Sequence, residues 1–283
     1  MKIAITGSNG FLGQYFKSFT KLNQNDMFFL TTSKPIDGQL HCKPLYEDIE
    51  RVLTGKEIDV IIHFAAVIPT SFSDTDYELF LKNNKMMNYL YEFTINNKLK
   101  KFIYLSGFGS MHNPKLLDIK DFYTMSKITG EHFCAMMEAN NVQTASLRIS
   151  APYGEYAMAR SVLNIFIEKA IKNETIEIFG SGKREQNFTY AGDIVKSIEL
   201  SLEHTVSGIY DIVSKRNTSM LELAKMIIKI TNSSSRIISG KSIDPQENYS
   251  PKYNYIKAEK ELCYEPVYTL EKGLTRYIKW LSR

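Results

Sequence analysis

Five short apolar runs set the rhythm of the first part of this chain: KIAIT at 2–6, MFFLTT at 27–32, VIIHF at 60–64, KFIYLS at 101–106 and QTASLRI at 143–149. Between them lie longer stretches, such as YELFLKNNKMMNYLYEFTINN, whose apolar residues recur at helical spacing. Strands that are apolar almost throughout leave no face for water. Alternating with helices, they specify an α/β fold, a doubly wound parallel sheet covered on both faces. After Ile149 the rhythm breaks. RSVLNIFIEKAIKN and SMLELAKMIIKI read as helices, ETIEIFGSGKREQNFTY as short strands around a glycine turn, and TNSSSRIISGKSIDPQENYSPKYN as loop. The layout predicts a sheet domain over 1–153, to which 188–213 return, and a smaller C-terminal α/β lobe made of 154–187 and 214–283.

Composition suits that plan and excludes several alternatives. Hydrophobic residues are 43% and charged residues 23%, which is enough apolar matter for a core and argues against a disordered chain. The net charge is only +4, with Lys and Arg interleaved among Asp and Glu, so there is no basic stripe for nucleic acid. Cys42, Cys134 and Cys263 are odd in number, far apart and without metal-ligand spacing. We expect no disulfide framework, no metal and a reducing, cytoplasmic setting. The N-terminal apolar run ends in a glycine turn, with no longer apolar region and cleavage site behind it. No segment approaches the roughly 18 uninterrupted apolar residues of a membrane span.

TGSNGFLG follows the first strand directly, and a helix begins at Phe11. Gly7 permits a tight turn, Gly10 lets a diphosphate approach the backbone, and Gly13 lets the helix pack against the strand. The helix start supplies amide donors and a positive dipole. Gly7, Asn9, Gly10, Phe11, Leu12 and Gly13 are therefore candidates for dinucleotide binding in a Rossmann-type domain. The end of the second strand carries Thr31, Thr32, Ser33 and Lys34, with no carboxylate for a free ribose. Thr32, Ser33 and Lys34 suit a 2′-phosphate, so NADP(H) is favoured over NAD(H). Asp48 reads either as an adenine-side contact or as a helix N-cap.

In DFYTMSKITGEHF, Tyr123 and Lys127 lie four residues apart and share one helix face. A phenol near pKa 10 is a poor acid–base group at neutral pH, and a neighbouring ammonium lowers it towards a useful range. Such a pair can pass a proton to or from the oxygen of a carbonyl–alcohol couple while a nicotinamide handles the hydride. Alone, the spacing equally describes a helix surface.

With HFAA at 63–66, YTMSKITGE at 123–131, LRISAPYG at 147–154, GSGKREQNFTYAGDI at 180–194 and LEKGLTRYIKW at 270–280, the chain resembles the extended short-chain dehydrogenase/reductases over nearly its whole length. Within them it is similar to the NAD(P)-dependent nucleotide-sugar epimerases, dehydratases and reductases. The resemblance implies that Tyr123 is the catalytic acid/base and that Lys127 holds the nicotinamide ribose and lowers the tyrosine pKa. Phe64, Ala65 and Ala66, after His63, would line the cofactor, with Asn83 as the helix asparagine and Lys82 or Asn84 as alternatives of register. It also implies a homodimer built on helices such as FYTMSKITGEHFCAMMEAN.

Departures from the family pattern matter as much. The usual serine or threonine beyond the fifth strand is missing, because Ser106 is followed by Gly107. Ser106 takes that role or bonds backbone near the cofactor, and Ser110 is a further alternative. Phe108 and Gly109 stand where the family's dehydratases carry acids, so dehydration is not expected; no cysteine accompanies His112, which disfavours the bifunctional epimerase-reductases. Arg184, near Gln186 on a strand, and Lys252 are candidates for the substrate diphosphate, with surface charge as the plain alternative. Ala151 replaces the usual substrate-contacting asparagine. Asn187, Phe188 and Tyr190 are expected to return the chain to the sheet. The leading expectation is an NADPH-dependent reductase of a keto group on a nucleotide-linked deoxysugar. The second is an NAD-dependent nucleotide-sugar epimerase, and a third, of another class, is a dinucleotide-binding regulatory subunit without catalysis.

Overall fold

The computed structural model describes residues 1–36, 38–69, 76–108, 121–205, 207–240 and 242–283. Gly109, Ser110 and His112 lie outside the described residues. The strands are β1 (Ile3–Thr6), β2 (Met27–Thr31), β3 (Leu40–His41), β4 (Val60–His63), β5 (Lys101–Gly107), β6 (Gln143–Ile149), β7 (Ile176–Ile178), β8 (Glu185–Gln186), β9 (Gly208–Ile212), β10 (Thr218–Ser219) and β11 (Ile237–Ser239). The helices are α1 (Phe11–Phe19), α2 (Tyr46–Leu53), α3 (Tyr77–Asn96), α4 (Phe122–Glu138), α5 (Val162–Ile171), α6 (Ala191–Glu203), α7 (Met220–Thr231), α8 (Ile256–Leu262) and α9 (Leu270–Leu281). The five expected apolar runs become β1, β2, β4, β5 and β6, each within one residue of its expected ends.

Two compact units result. The first comprises Met1–Ile149, Val195–Ile212 and Asn254–Tyr264. Its seven-stranded sheet has the order β3-β2-β1-β4-β5-β6-β9 and is parallel at every pair. Every residue of β1 and β4 is buried, as are the first six of β5. Such strands are stable only with helices on both faces. The chain starts at β1 in the middle, winds outward through β2 and β3, then crosses to β4. Strand order therefore reverses between β1 and β4, and the carboxyl ends of these strands are where a doubly wound sheet binds ligands.

Beneath α2, α3 and α4 an apolar core gathers Ala4, Leu30, Ile61, Met87, Phe93 and Phe102 among others. Residues 254–264, expected in the second lobe, belong to this unit because α8 packs on β9. Conversely 188–194, expected to return to the sheet domain, fall in the second unit, where Tyr190 bridges to Tyr153.

Lys101, the first residue of β5, is buried and satisfies the end of α6. Its Nζ donates to the carbonyls of Ser201, Leu202 and His204 at 2.6, 3.3 and 2.8 Å. Those carbonyls have no partner within the helix, and a cation there also meets the negative end of the dipole. Lys101→Met keeps the aliphatic stem but strands them. We expect a loss of about 2–3 kcal/mol, read as a lower denaturation midpoint with unchanged slope; an unchanged midpoint would show that water caps α6 equally well.

The second unit holds Ser150–Ile194, Val213–Tyr253 and Glu265–Arg283. There α7 packs against α5 and α9, and two small sheets pair β10 with β8 and β11 with β7. Among the described residues no helix is long and apolar enough to cross a membrane.

Candidate active site

The glycine turn joins β1 to α1, and its three glycines are needed for different reasons. Gly7 has φ +70°, and a Cβ there would come within 2.6 Å of the Ala65 nitrogen. At Gly13 a Cβ would overlap the Gly7 carbonyl oxygen and lie 2.7 Å from Ser8 Cα, so this glycine seats the helix on the turn itself. Gly10 is the N-cap of α1 and offers no side chain to the first-turn amides; a Cβ there meets nothing nearer than 3.3 Å. The helix start is thus open, uncapped by any side chain and free of first-turn acids. That is the cradle a diphosphate requires, and the residues present fit a dinucleotide.

At the end of β2 the structure joins Asn9 to Ser33. Asn9 Nδ2 donates to Ser33 Oγ at 2.7 Å, Ser33 Oγ lies 2.9 Å from Thr31 Oγ1, and Gln39 donates to both Asn9 Oδ1 and Ser8 Oγ. Thr32 and Lys34 are exposed beside this neutral network. Gln39 was not anticipated. Asp48 is placed otherwise than expected: it sits in the first turn of α2, whose N-cap is Leu45. One carboxylate oxygen accepts Lys43 N–H at 2.7 Å and the other accepts Arg51 Nε and Nη2 at 3.1 and 2.9 Å. The Lys43 amide and then Arg51 hold its pKa below the usual carboxylate range. Both oxygens serve the start of α2, which leaves the adenine-side role without support.

His63 ends β4, buried, with Nδ1 2.7 Å from Thr6 Oγ1 and its ring stacked 5.7 Å from that of Tyr104. Phe64, Ala65 and Ala66 follow, half-buried, along the edge above β1, and Thr6 Oγ1 accepts Ala65 N–H at 3.3 Å. Of the three candidates on α3, the inward-facing residue in best contact is Asn83. It is buried, accepts Val67 N–H at 2.7 Å, donates to Val67 C=O at 3.1 Å and to Ser126 Oγ at 3.2 Å. Lys82 is exposed, and the Asn84 amide is buried without a partner. Asn83 therefore shapes the 64–67 segment and ties α3 to α4.

Asp121 caps α4 by accepting Thr124 N–H, and one turn in, Tyr123 and Lys127 share a face. Lys127 is buried. Its Nζ donates to the Leu105 carbonyl at 2.8 Å and lies 5.0 Å from the ring centre of Tyr104 and 5.6 Å from that of Tyr123. Burial pulls its pKa down to about 8, against the opposing pull of Glu131. Burial also pushes Tyr123 up to about 12, with the Asp121 charge adding to it. Burial thus works against the lowering expected from the lysine, and the Tyr123 hydroxyl is protonated at neutral pH.

Ser106 is also corrected. Its buried hydroxyl donates to Glu131 Oε1 at 2.7 Å, and Glu131 in turn accepts Arg148 Nε and Nη2, each at 2.7 Å. The Ser106 proton is thus committed to this ion pair, not to backbone near the cofactor turn. At Gly107 a Cβ would find only the Ile149 carbonyl, at 3.8 Å, so the fold does not require glycine there. Sequence reasoning missed Glu131 and Arg148. The signal was present, since Tyr123, Lys127 and Glu131 recur at i, i+4 and i+8.

In the second unit Arg184 pairs with buried Asp244, Nε to Oδ2 3.1 Å, and reaches Gln246 at 3.4 Å. Its charge is thus already shared. Lys252 is exposed, and Ala151 is half-buried with φ +34°.

The family model described as the NAD dependent epimerase/dehydratase family matches residues 3–213. YtcB of Bacillus subtilis, an uncharacterized UDP-glucose epimerase, is 24% identical over 314 residues spanning 100% of this chain and 98% of its own. The UDP-glucose 4-epimerase of Thermotoga maritima, solved with UDP-glucose, superposes with a TM-score of 0.86 at 23% identity, covering 100% of this chain and 99% of its own. The UDP-glucuronic acid 4-epimerase of Bacillus cereus, solved with UDP-glucuronic acid and NAD, gives 0.83 at 24% with the same coverage. With the uncapped glycine turn, the seven-stranded parallel sheet and the family match across three-quarters of the sequence, this chain belongs to the NAD dependent epimerase/dehydratase family of extended short-chain dehydrogenases/reductases.

Proposed function

We propose that the protein is a nucleotide-sugar epimerase that oxidises and re-reduces one sugar carbon. The observation that carries this reading is the Tyr123–Lys127 pair, held by the Leu105 carbonyl at the carboxyl end of β5, in the same sheet as a turn shaped for a diphosphate. The full-length likeness to proteins named as epimerases favours interconversion over net reduction. Phe108 and Gly109 offer no acid for eliminating water.

Gly7, Gly10, Gly13 and the first amides of α1 would hold the diphosphate of the dinucleotide, with Phe64, Ala65 and Ala66 beside it. When bound, a nicotinamide accepts and returns hydride and, oxidised, adds a positive charge near the phenol. The Tyr123 oxygen takes the proton of the reacting hydroxyl and gives it back. Lys127, fixed on Leu105, keeps positive charge beside that ring, where it offsets the burial that otherwise holds the phenol neutral.

The test is chemical. The purified protein is denatured and the released dinucleotide identified, and the native protein is incubated with UDP-glucose or UDP-glucuronic acid and followed by proton NMR. The expected result is retained NAD and a mixture of 4-epimers reached from either side without net NADH. A second reading, reduction of a keto sugar by NADPH, is favoured by one feature: the β2 end carries Ser33 and Lys34 and no carboxylate. Stoichiometric NADPH consumption with no epimer formed would replace the first reading by the second.

A further inference from the structure

Glu131 stands one helical turn beyond Lys127 on the buried face of α4, with a side chain only 5% exposed. All its lone pairs in use are charge-assisted or short: Ser106 Oγ and Arg148 Nε on one oxygen, Arg148 Nη2 on the other, each at 2.7 Å. Arg148 lies in β6, opposite Ser106 of β5 on one side and Asp211 of β9 on the other. Asp211 accepts the Asn254 amide at 2.8 Å. A buried ion pair is a poor way to fasten a helix to a sheet, since apolar residues of similar volume do so without the desolvation cost. Its placement calls for another reason.

That reason is Lys127. Among the described residues no carboxylate lies within ion-pair distance of its Nζ, which has the Leu105 carbonyl and the faces of Tyr104 and Tyr123. Among the described residues the groups around it are otherwise neutral. His63, stacked behind Tyr104, is held down to about 3 by burial and then by the Lys127 charge. Burial pushes the Cys134 thiol up to about 12. Asn83 and Ser126 carry no charge, and Asp121 lies at the far end of the turn, before Tyr123. Among the described residues Glu131 is the one acid a turn away on α4, with Arg148 and, behind it, Asp211 completing the charged row.

We propose that Glu131, clamped by Arg148 and Ser106, is a positioning residue for the Tyr123–Lys127 pair: it supplies the counter-charge that keeps Lys127 an ammonium, while the clamp keeps the carboxylate from closing onto Lys127 and consuming its donors. The proposal rests on Tyr123 as the proton carrier, and gives Ser106 a part in the site through Glu131. In surroundings of intermediate dielectric, one such charge a helical turn away is worth about one pH unit on its neighbour.

The experiment reads Lys127 directly. Lysine labelled with 13C at Cε is incorporated, the Lys127 resonance is assigned by its loss in Lys127→Met, and its titration is followed by NMR. In Glu131→Gln, Lys127 is expected to titrate about one unit lower than in the parent, and the limb of the pH–rate profile near pH 8 moves down with it, with KM unchanged. Should the unpaired Arg148 prevent folding, Glu131→Gln/Arg148→Met removes both charges and is expected to shift Lys127 in the same direction by about half a unit. Lys127 titrating at the parental pH in the folded single variant, or in the double where the single does not fold, overturns the proposal. Because the NMR titration needs no substrate, inactivity of the parent towards every nucleotide sugar would count against the proposed function and leave this result readable.

Discussion

Tyr123→Phe is expected to lower kcat for the sugar interconversion about a thousandfold while leaving KM and the retained dinucleotide unchanged. The variant removes one oxygen and nothing else. The ring still lies 5.6 Å from Lys127 Nζ, and Lys127 still holds the Leu105 carbonyl, so neither packing nor the charge behind the site is disturbed. What is lost is the atom that, in the proposed reaction, takes the proton in oxidation and returns it in reduction, a step for which a positioned group typically contributes about 10²–10⁴-fold. Because binding is untouched, the whole effect falls on kcat. Steady-state kinetics with UDP-glucose at saturating substrate would show it. Full turnover by the variant would remove Tyr123 from the chemistry and take both the epimerase and the reductase readings with it.

The resting state of Tyr123 sharpens this. Its hydroxyl, pushed up to about 12 by burial, is neutral at physiological pH. In reduction it is ready to donate. In oxidation it must first become a phenolate, and Lys127 is the group of this chain placed to favour that. Activity in the oxidising direction is therefore expected to rise with pH across the neutral range.

The sheet was legible because buried parallel strands are written as short, near-continuous apolar runs, as in KIAIT and VIIHF, too short and too apolar for an amphipathic helix. The two-residue β3 was not, since Leu40 and His41 are half-buried and exposed and owe their conformation to the partners Leu30 and Thr31. The same line divides the site. Gly7, Gly10, Tyr123 and Lys127 could be singled out as candidates because their proposed chemistry depends on local spacing, and the fold does put the two glycines in the β1–α1 turn and the other two on one face of α4. The partners of Ser106 and Asp48, each left with two expected roles, were not legible because a side chain's partner is decided by the fold: Glu131 reaches Ser106 from 25 residues along the chain, and Asp48 is taken up by its own turn. Tyr123 shows the limit most clearly. The i, i+4 spacing correctly put an ammonium beside a phenol, but how far both are buried, which sets the direction of their pKa values, is a property of α4 against β5 and not of either residue.

Gly13→Ala is expected to abolish retention of the dinucleotide and weaken its binding at least about a hundredfold, with a marked loss of stability in the first unit. The added methyl would overlap the Gly7 carbonyl oxygen and stand 2.7 Å from Ser8 Cα. Both are backbone atoms, and neither can swing aside: the Gly7 carbonyl accepts Gly10 N–H at 3.0 Å, and the Ser8 amide bonds the Leu30 carbonyl at 3.2 Å. So α1 must lift from the turn. Forcing a methyl into close-packed backbone costs about 1–3 kcal/mol, and the displaced amides no longer converge on one diphosphate. Gly10→Ala separates the two consequences. Its methyl stands 3.3 Å from the Gly7 carbonyl oxygen, a tight contact relieved by a shift of a few tenths of an ångström, so the fold should lose far less stability than in Gly13→Ala, yet it stands over the helix start where the diphosphate would lie. Calorimetric titration with NAD and NADP, paired with thermal denaturation, gives both readings for each variant. Loss of affinity in both variants, with a marked loss of stability in Gly13→Ala alone, is the expected pattern. Undiminished binding by Gly10→Ala would mean that the dinucleotide does not approach through this turn, and that the open start of α1 has another use.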